Sequence, residues 1–188
     1  MPRQGLTRER ILEKATDIIN RRGYNTLTLA MLSAELHVKP PALFKHYRNF
    51  DDIKENLTLS GIKSLKQKLQ DAVTGIAGEQ ALAGMCYAYR DFAKSNTGIY
   101  QAIQPAFFRK NKEIEQAAVE LMAVILNVVK GFDIDSAHYI HVLRIIRSSL
   151  HGFVVLEIEF GFGMSANIDQ SFEHQINALI LMIKSFRH

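Results

Sequence analysis

The stretch Thr28-Leu29-Ala30-Met31-Leu32-Ser33-Ala34-Glu35-Leu36-His37-Val38-Lys39-Pro40-Pro41-Ala42-Leu43-Phe44-Lys45-His46-Tyr47 decides the fold. Thr28 suits a helix N-cap, and Leu29, Leu32 and Leu36 share one face of the turns that follow. His37-Val38 reads as a tight turn. Lys39 precedes a proline, which disfavours helical angles, so it is the expected cap of the next helix. Pro40 and Pro41 then fall in a first turn, where a missing N–H costs nothing. Leu43 and Tyr47 point back to a core, while Lys39, Pro41, Ala42, Lys45 and His46 face outward. Two short helices joined by a tight turn, the second presenting small and basic residues, have the logic of a helix-turn-helix whose second helix enters a major groove. Periodicity alone also describes a plain surface helix with solvated charges.

The flanks continue the helical pattern. Upstream, Thr7 can cap a helix with Ile11, Leu12, Ala15, Ile18 and Ile19 on one face, stopped by Gly23. Downstream, Asn49 can cap a fourth helix whose first turn holds Asp51 and Asp52 and whose stripe is Ile53, Leu57, Leu65, Leu69 and Val73. Gly75 and Gly78 break the chain. A fifth helix carries Leu82, Met85, Tyr89, Phe92 and Ala93, and a sixth spans 97–104 and ends at Pro105. A seventh covers 111–130, an eighth 136–160, and a ninth follows Gly161-Phe162-Gly163. No segment has the alternation of a strand flanked by hairpin turns. The expected fold is all-α, with about nine helices: a three-helix DNA-binding domain over 1–50, then a helical ligand-binding and dimerisation domain over 51–188, with helix 51–73 as linker.

Charge placement agrees. Residues 1–50 carry a net +5 and the remainder −1, so the positive excess sits where the helix-turn-helix is read. Phosphate neutralisation needs Lys and Arg gathered in this way. No run of about 18 apolar residues suggests a membrane span, and the first residues lack the apolar core of a secretory signal. Cys86 is the only cysteine, which excludes an internal disulfide and a cysteine-rich metal site. The expected location is cytoplasmic, with no membrane partner.

The stretch from Gly23-Tyr24-Asn25-Thr26-Leu27-Thr28-Leu29 through Leu36-His37-Val38-Lys39-Pro40-Pro41-Ala42-Leu43-Phe44-Lys45-His46-Tyr47 to Asp51-Asp52-Ile53 closely resembles the N-terminal domain of the TetR family. The resemblance implies that Thr28, Lys39, Pro41, Ala42, Phe44, Lys45 and His46 occupy DNA-facing positions. It also implies departures. His37 stands at a turn position usually held by Gly, Phe44 where a Tyr often donates its hydroxyl to phosphate, Phe50 in place of a common Lys, and Ala30 in place of a frequently basic residue. Fewer direct phosphate contacts than usual are expected, partly offset by Arg48 and Lys54.

The segments Tyr89-Arg90-Asp91-Phe92-Ala93, Gly98-Ile99-Tyr100, and 143–157 with Gly161-Phe162-Gly163 and Ser171-Phe172 resemble a TetR C-terminal subgroup. That resemblance implies a homodimer built on the last two helices, a double-stranded DNA operator, and a small-molecule inducer. The eighth helix is apolar on more than one face, with Tyr139, Val142, Leu143, Ile146, Leu150 and Phe153 on one side. A helix wider than one stripe needs two neighbours, and Leu150 is expected at the dimer contact. Candidate ligand-binding residues are Tyr89, Phe92, Tyr100, Phe107, Phe108, Arg147 and His151. For the aromatics, including Tyr87, the bland alternative is core; for Arg147 and His151 it is local pairing, for example with Glu157 of a partner subunit. His138 and His141 lack a third metal ligand at suitable spacing, Cys86 reads as a buried inert thiol, and no metal or cofactor is expected. With no phosphate loop, nucleophile elbow or paired carboxylates, an enzyme is disfavoured. A repressor released by an inducer and a ligand-free architectural DNA-binding protein are the remaining readings, told apart by an apolar cavity in the C-terminal domain.

Overall fold

The computed structural model describes residues 5–108 and 111–186, with the side chains of Phe107 and Phe108 excepted. Among these residues it is all helical: α1 (Arg8–Arg22), α2 (Leu29–Glu35), α3 (Pro40–Leu43), α4 (Phe50–Val73), α5 (Gly78–Ser95), α6 (Thr97–Ile103), α7 (Lys112–Lys130), α8 (Tyr139–Ile158) and α9 (Ile168–Lys184). The caps are where the sequence puts them. Oxygens of Thr7, Thr28 and Asn49 accept the backbone N–H groups of Arg10, Met31 and Asp52 at 3.2, 3.2 and 2.8 Å. Gly23 ends α1 at φ 90°, and His37 holds φ 55°, a left-handed position that Gly usually fills.

The helices form two compact units, one comprising residues up to Lys63 with Asn96–Ala118, the other Ser64–Ser95 with Val119 onward. In the first, Ile11, Ile18, Ile19, Leu32, Leu43, Ile53 and Leu57 form a fully buried core. α6 packs on α1 with no room to spare, since a Cβ on Gly98 would lie 2.1 Å from the carbonyl oxygen of Ile19. The side-chain oxygen of Asn20 accepts the N–H groups of Gly98 and Ile99 at 3.0 and 3.1 Å, so a residue of α1 caps α6. The buried Thr58 hydroxyl donates to the Ala102 carbonyl at 3.0 Å and ties α4 to the same helix.

In the second unit α5 packs on α8 and α9, and α8 on α9. The polar centre of that packing is Arg90, only 6% exposed. Its guanidinium makes two hydrogen bonds to Glu157, at 2.7 and 2.6 Å, and pairs with Asp169 at 2.7 Å. It also lies 4.8 Å over the Phe172 ring. Lys94 adds a second cation to Glu157 at 2.7 Å. Glu157 is therefore paired within its own chain, contrary to the expectation that it answers Arg147 or His151 across an interface. Leu150 also corrects the sequence reading. It is 1% exposed in the single chain, on the stripe Val142, Ile146, Leu150 and Val154 that faces the unit's own core. On α8 and α9, the exposed large apolar residues among those described are Ile140, Ile145, Leu156 and Leu181.

Gly98→Ala is expected to destabilise the protein by about 1–3 kcal/mol or more, because backbone rather than a flexible side chain meets the new methyl; urea unfolding checks it. A second outcome concerns acid. The hydrogen bonds from Arg90 hold the Glu157 carboxyl below its ordinary range, against the opposing effect of burial. A depressed carboxyl contributes stability that is complete above the unfolded-state pKa and lost as pH falls through the folded one. Glu157→Gln is expected to lower stability at neutral pH and to flatten the decline below about pH 4.5, the region of an unperturbed Glu. Melting temperatures measured from neutral to acid pH decide it.

Candidate nucleic-acid interface

α3 is four residues long and continues as a turn through His46. A helix so short has no independent stability, so its placement comes from anchors. Leu43 and Tyr47 are buried beneath it, and the backbone N–H groups of His46 and Tyr47 both reach the Leu43 carbonyl, at 3.0 and 3.1 Å. From α1, Arg8 donates to the His46 carbonyl at 2.7 Å and lies 4.3 Å over the Tyr47 ring, while the Tyr47 hydroxyl donates to the Arg8 carbonyl at 3.0 Å. From α4, the Asp52 carboxylate accepts the Arg48 backbone N–H at 2.9 Å and its guanidinium at 3.3 and 3.4 Å. Burial pushes the Asp52 carboxyl up, but the hydrogen bonds from Arg48 outweigh it and leave the group below its usual range. The segment is thus clamped at its far end from both sides.

Between the anchors, Thr28, Lys39, Pro41, Phe44 and Lys45 are exposed, and Ala42 and His46 are half-buried. All seven predicted DNA-facing residues lie at the surface of one unit. Thr28 spends its hydroxyl oxygen on the α2 cap, and Lys39 caps α3 in an extended conformation without a side-chain bond. Lys39 and Lys45 have no ion-pair partner among the described residues. Arg48 and Lys54, expected to make up for missing phosphate contacts, are already engaged. Arg48 is bound to Asp52, and the Lys54 ammonium sits 4.8 Å over the Phe50 ring. Sequence reasoning missed Arg8; a lone Arg at the start of α1 carries no local signal that it will clamp a segment 38 residues away.

The predicted ligand residues are not brought together in this way. Tyr89 and Phe92 are buried on α5, with Arg147 exposed and His151 half-buried on α8, all in the second unit. Tyr100 is buried on α6 in the first unit. The Phe107 and Phe108 side chains lie outside the described residues. Burial, aided by the charge of Arg147, holds the His151 pKa below its usual value, which favours neutral imidazole. The second unit also has a cleft of about 340 Å³ whose walls include Val73, Thr74, Ile76, Val124, Asn127 and Val128, none of them among the predicted residues. Small apolar residues at helix ends read as ordinary core in the sequence, so nothing there marks a cleft. Cys86 is buried and its thiol is pushed up to about 12, which keeps it protonated and unreactive.

Comparison with known proteins matches two parts of the chain. Residues 11–56 match the family model described as bacterial regulatory proteins, tetR family, and residues 82–179 match the tetracyclin repressor-like C-terminal domain. An uncharacterised HTH-type transcriptional regulator of Bacillus subtilis (strain 168), YobS, is 32% identical over 95% of this chain and 93% of its own. Among solved structures, BioQ with its natural double-stranded DNA operator is similar at a TM-score of 0.72 and 19% identity, covering 96% of this chain and 99% of that one. A TetR variant from Acinetobacter baumannii AYE in complex with minocycline is similar at a TM-score of 0.73 and 15% identity, covering 98% and 99%. At these identities the two structures speak to fold.

Proposed function

Because this chain belongs to the tetR family of bacterial regulatory proteins, and is with it a DNA-binding transcriptional regulator and not an enzyme, we propose that it is a repressor released from a palindromic operator by a small-molecule inducer. The observation that carries the DNA-reading part is the clamped segment. Thr28, Lys39, Pro41, Ala42, Phe44, Lys45 and His46 sit at the surface of one unit while the Arg8 and Arg48 contacts fix the backbone at the far end of the segment. In this reading residues 1–50 are the DNA-binding domain and 51–188 the sensing and dimerisation domain, and the protein works in the cytoplasm, where its DNA is.

Each chain offers one reading segment, and a two-fold operator needs two. The surface for a homodimer is the uncovered side of α8 and α9. Ser136–Ile158 is long and apolar enough to cross a membrane by length and composition, yet only 22% of its apolar 18-residue window is buried in the chain. Its exposed face carries Arg144 and Arg147 among Ile140, Ile145 and Leu156, a mixture that suits a second protein surface better than lipid. For the inducer, the cleft in the second unit supports a sensor over a ligand-free architectural protein. An inducer acts only if it binds better to the conformer with lower DNA affinity.

Footprinting on the promoter beside the protein's own gene tests the proposal. Protection of a two-fold site is expected, with affinity falling steeply as salt rises; protection that ignores salt argues against phosphate contacts altogether. Lys45→Ala and His46→Ala are expected to weaken binding by about 1–3 kcal/mol where a base edge is touched, and less for phosphate alone, with unchanged circular dichroism. Ile145→Glu combined with Leu156→Glu is expected to give folded monomers by light scattering, since both residues are exposed in the single chain. A dimer that survives both charges places the interface elsewhere.

A further inference from the structure

We propose that Phe44 reads the C5-methyl of a thymine, so that each operator half-site carries an A·T pair beneath the end of α3; the inference rests on the DNA-reading role assigned above. The argument starts from what the segment lacks. Residues 39–46 contain no Arg, Asn, Gln, Asp or Glu, so adenine and cytosine find none of their usual side-chain partners there and guanine finds only lysine. Polar reach is left to Lys39, Lys45 and His46, at the two ends.

The middle of the surface is apolar. Pro41 is exposed, Ala42 is half-buried, and Phe44 is 44% exposed, whereas Tyr47, the other ring nearby, is 2% exposed. An aromatic ring left in water on a short clamped segment has no role in the core. It has no hydroxyl with which to hold a phosphate. In the major groove the one apolar group that base pairs present is the thymine methyl. Phe44 is also well placed to be aimed. Its neighbour Leu43 is fully buried, and two residues on the His46 carbonyl is held by Arg8 at 2.7 Å. The backbone on either side of the ring is therefore fixed by contacts that do not involve the ring. Lys45, adjacent and exposed, supplies the nearby cation for backbone phosphate.

The test removes the methyl and nothing else. Duplexes are selected from a random-sequence pool with the full-length protein, and each thymine of the enriched site is then replaced in turn by deoxyuridine. At one thymine in each half-site, wild-type affinity is expected to fall by about fourfold, the worth of one buried methyl. Phe44→Ala is expected to bind more weakly and to lose that sensitivity, and Phe44→Leu to retain it. Enrichment of a specific site with no thymine sensitive to methyl removal overturns this proposal and leaves the repressor reading intact. The same holds if Phe44→Ala keeps the full wild-type sensitivity. A pool that yields no enriched sequence overturns both.

Discussion

The backbones of α1 and α6 touch, and the rest of the DNA-reading unit is arranged around that contact. With the Ile19 carbonyl 2.1 Å from where a Cβ of residue 98 would be, only glycine fits. The approach brings the first turn of α6 within reach of Asn20, which caps it. α1 then delivers Arg8 to the His46 carbonyl and receives the Tyr47 hydroxyl in return. The order of dependence runs from α6 to α1 to α3. A four-residue reading helix, which cannot hold its own geometry, inherits it from a 15-residue helix held in turn by close packing.

Electrostatics in this unit is mostly internal. The net positive excess of the first 50 residues suggests a generous phosphate-binding surface, but several of those cations are occupied. Arg8 lies on Tyr47, Arg21 reaches Glu35 at 3.5 Å, and Arg48 is bound to Asp52. Exposed pairs such as Arg21–Glu35 contribute little to stability and open readily. The Arg48–Asp52 contact includes a backbone N–H and a nearly buried carboxylate, so it is a structural clamp first. Counting charges from the sequence overstates what is available to DNA, and the apolar centre of the reading surface gains weight accordingly.

What was legible in the sequence was local. Thr7, Thr28 and Asn49 act on N–H groups three residues away, Gly23 and His37 answer to a single φ, and Pro40 announces the start of α3, so each could be read without knowing the fold. Contacts between distant segments were not legible. Nothing in Gly98-Ile99-Tyr100 shows that α6 packs with the helices of the reading head, and nothing in Tyr89-Arg90-Asp91 shows that Arg90 gathers Glu157, Asp169 and Phe172 around it. Leu150 illustrates a third limit. Periodicity reports that a helix has two apolar faces, but not which face its own chain covers, and the denser one proved to belong to the core. Resemblance carried the assignment of the DNA-facing positions, because small and basic residues on a short helix have many uses.

The proposed response to a ligand has a covalent route already in place. The chain passes between the two units at 63/64, 95/96 and 118/119. The first and last of these passages lie inside α4 and α7, which continue unbroken through them. The cleft of the second unit is walled by the C-terminal parts of these same helices, Gln70 and Val73 on α4 and Val124, Asn127 and Val128 on α7. Helices transmit displacement along their axes because every turn is hydrogen-bonded to the next. A molecule that prefers one arrangement of those two ends biases two continuous helices at once, one of which also carries the Asp52 clamp on the reading segment. Differential affinity for that arrangement is all that thermodynamics requires of an inducer.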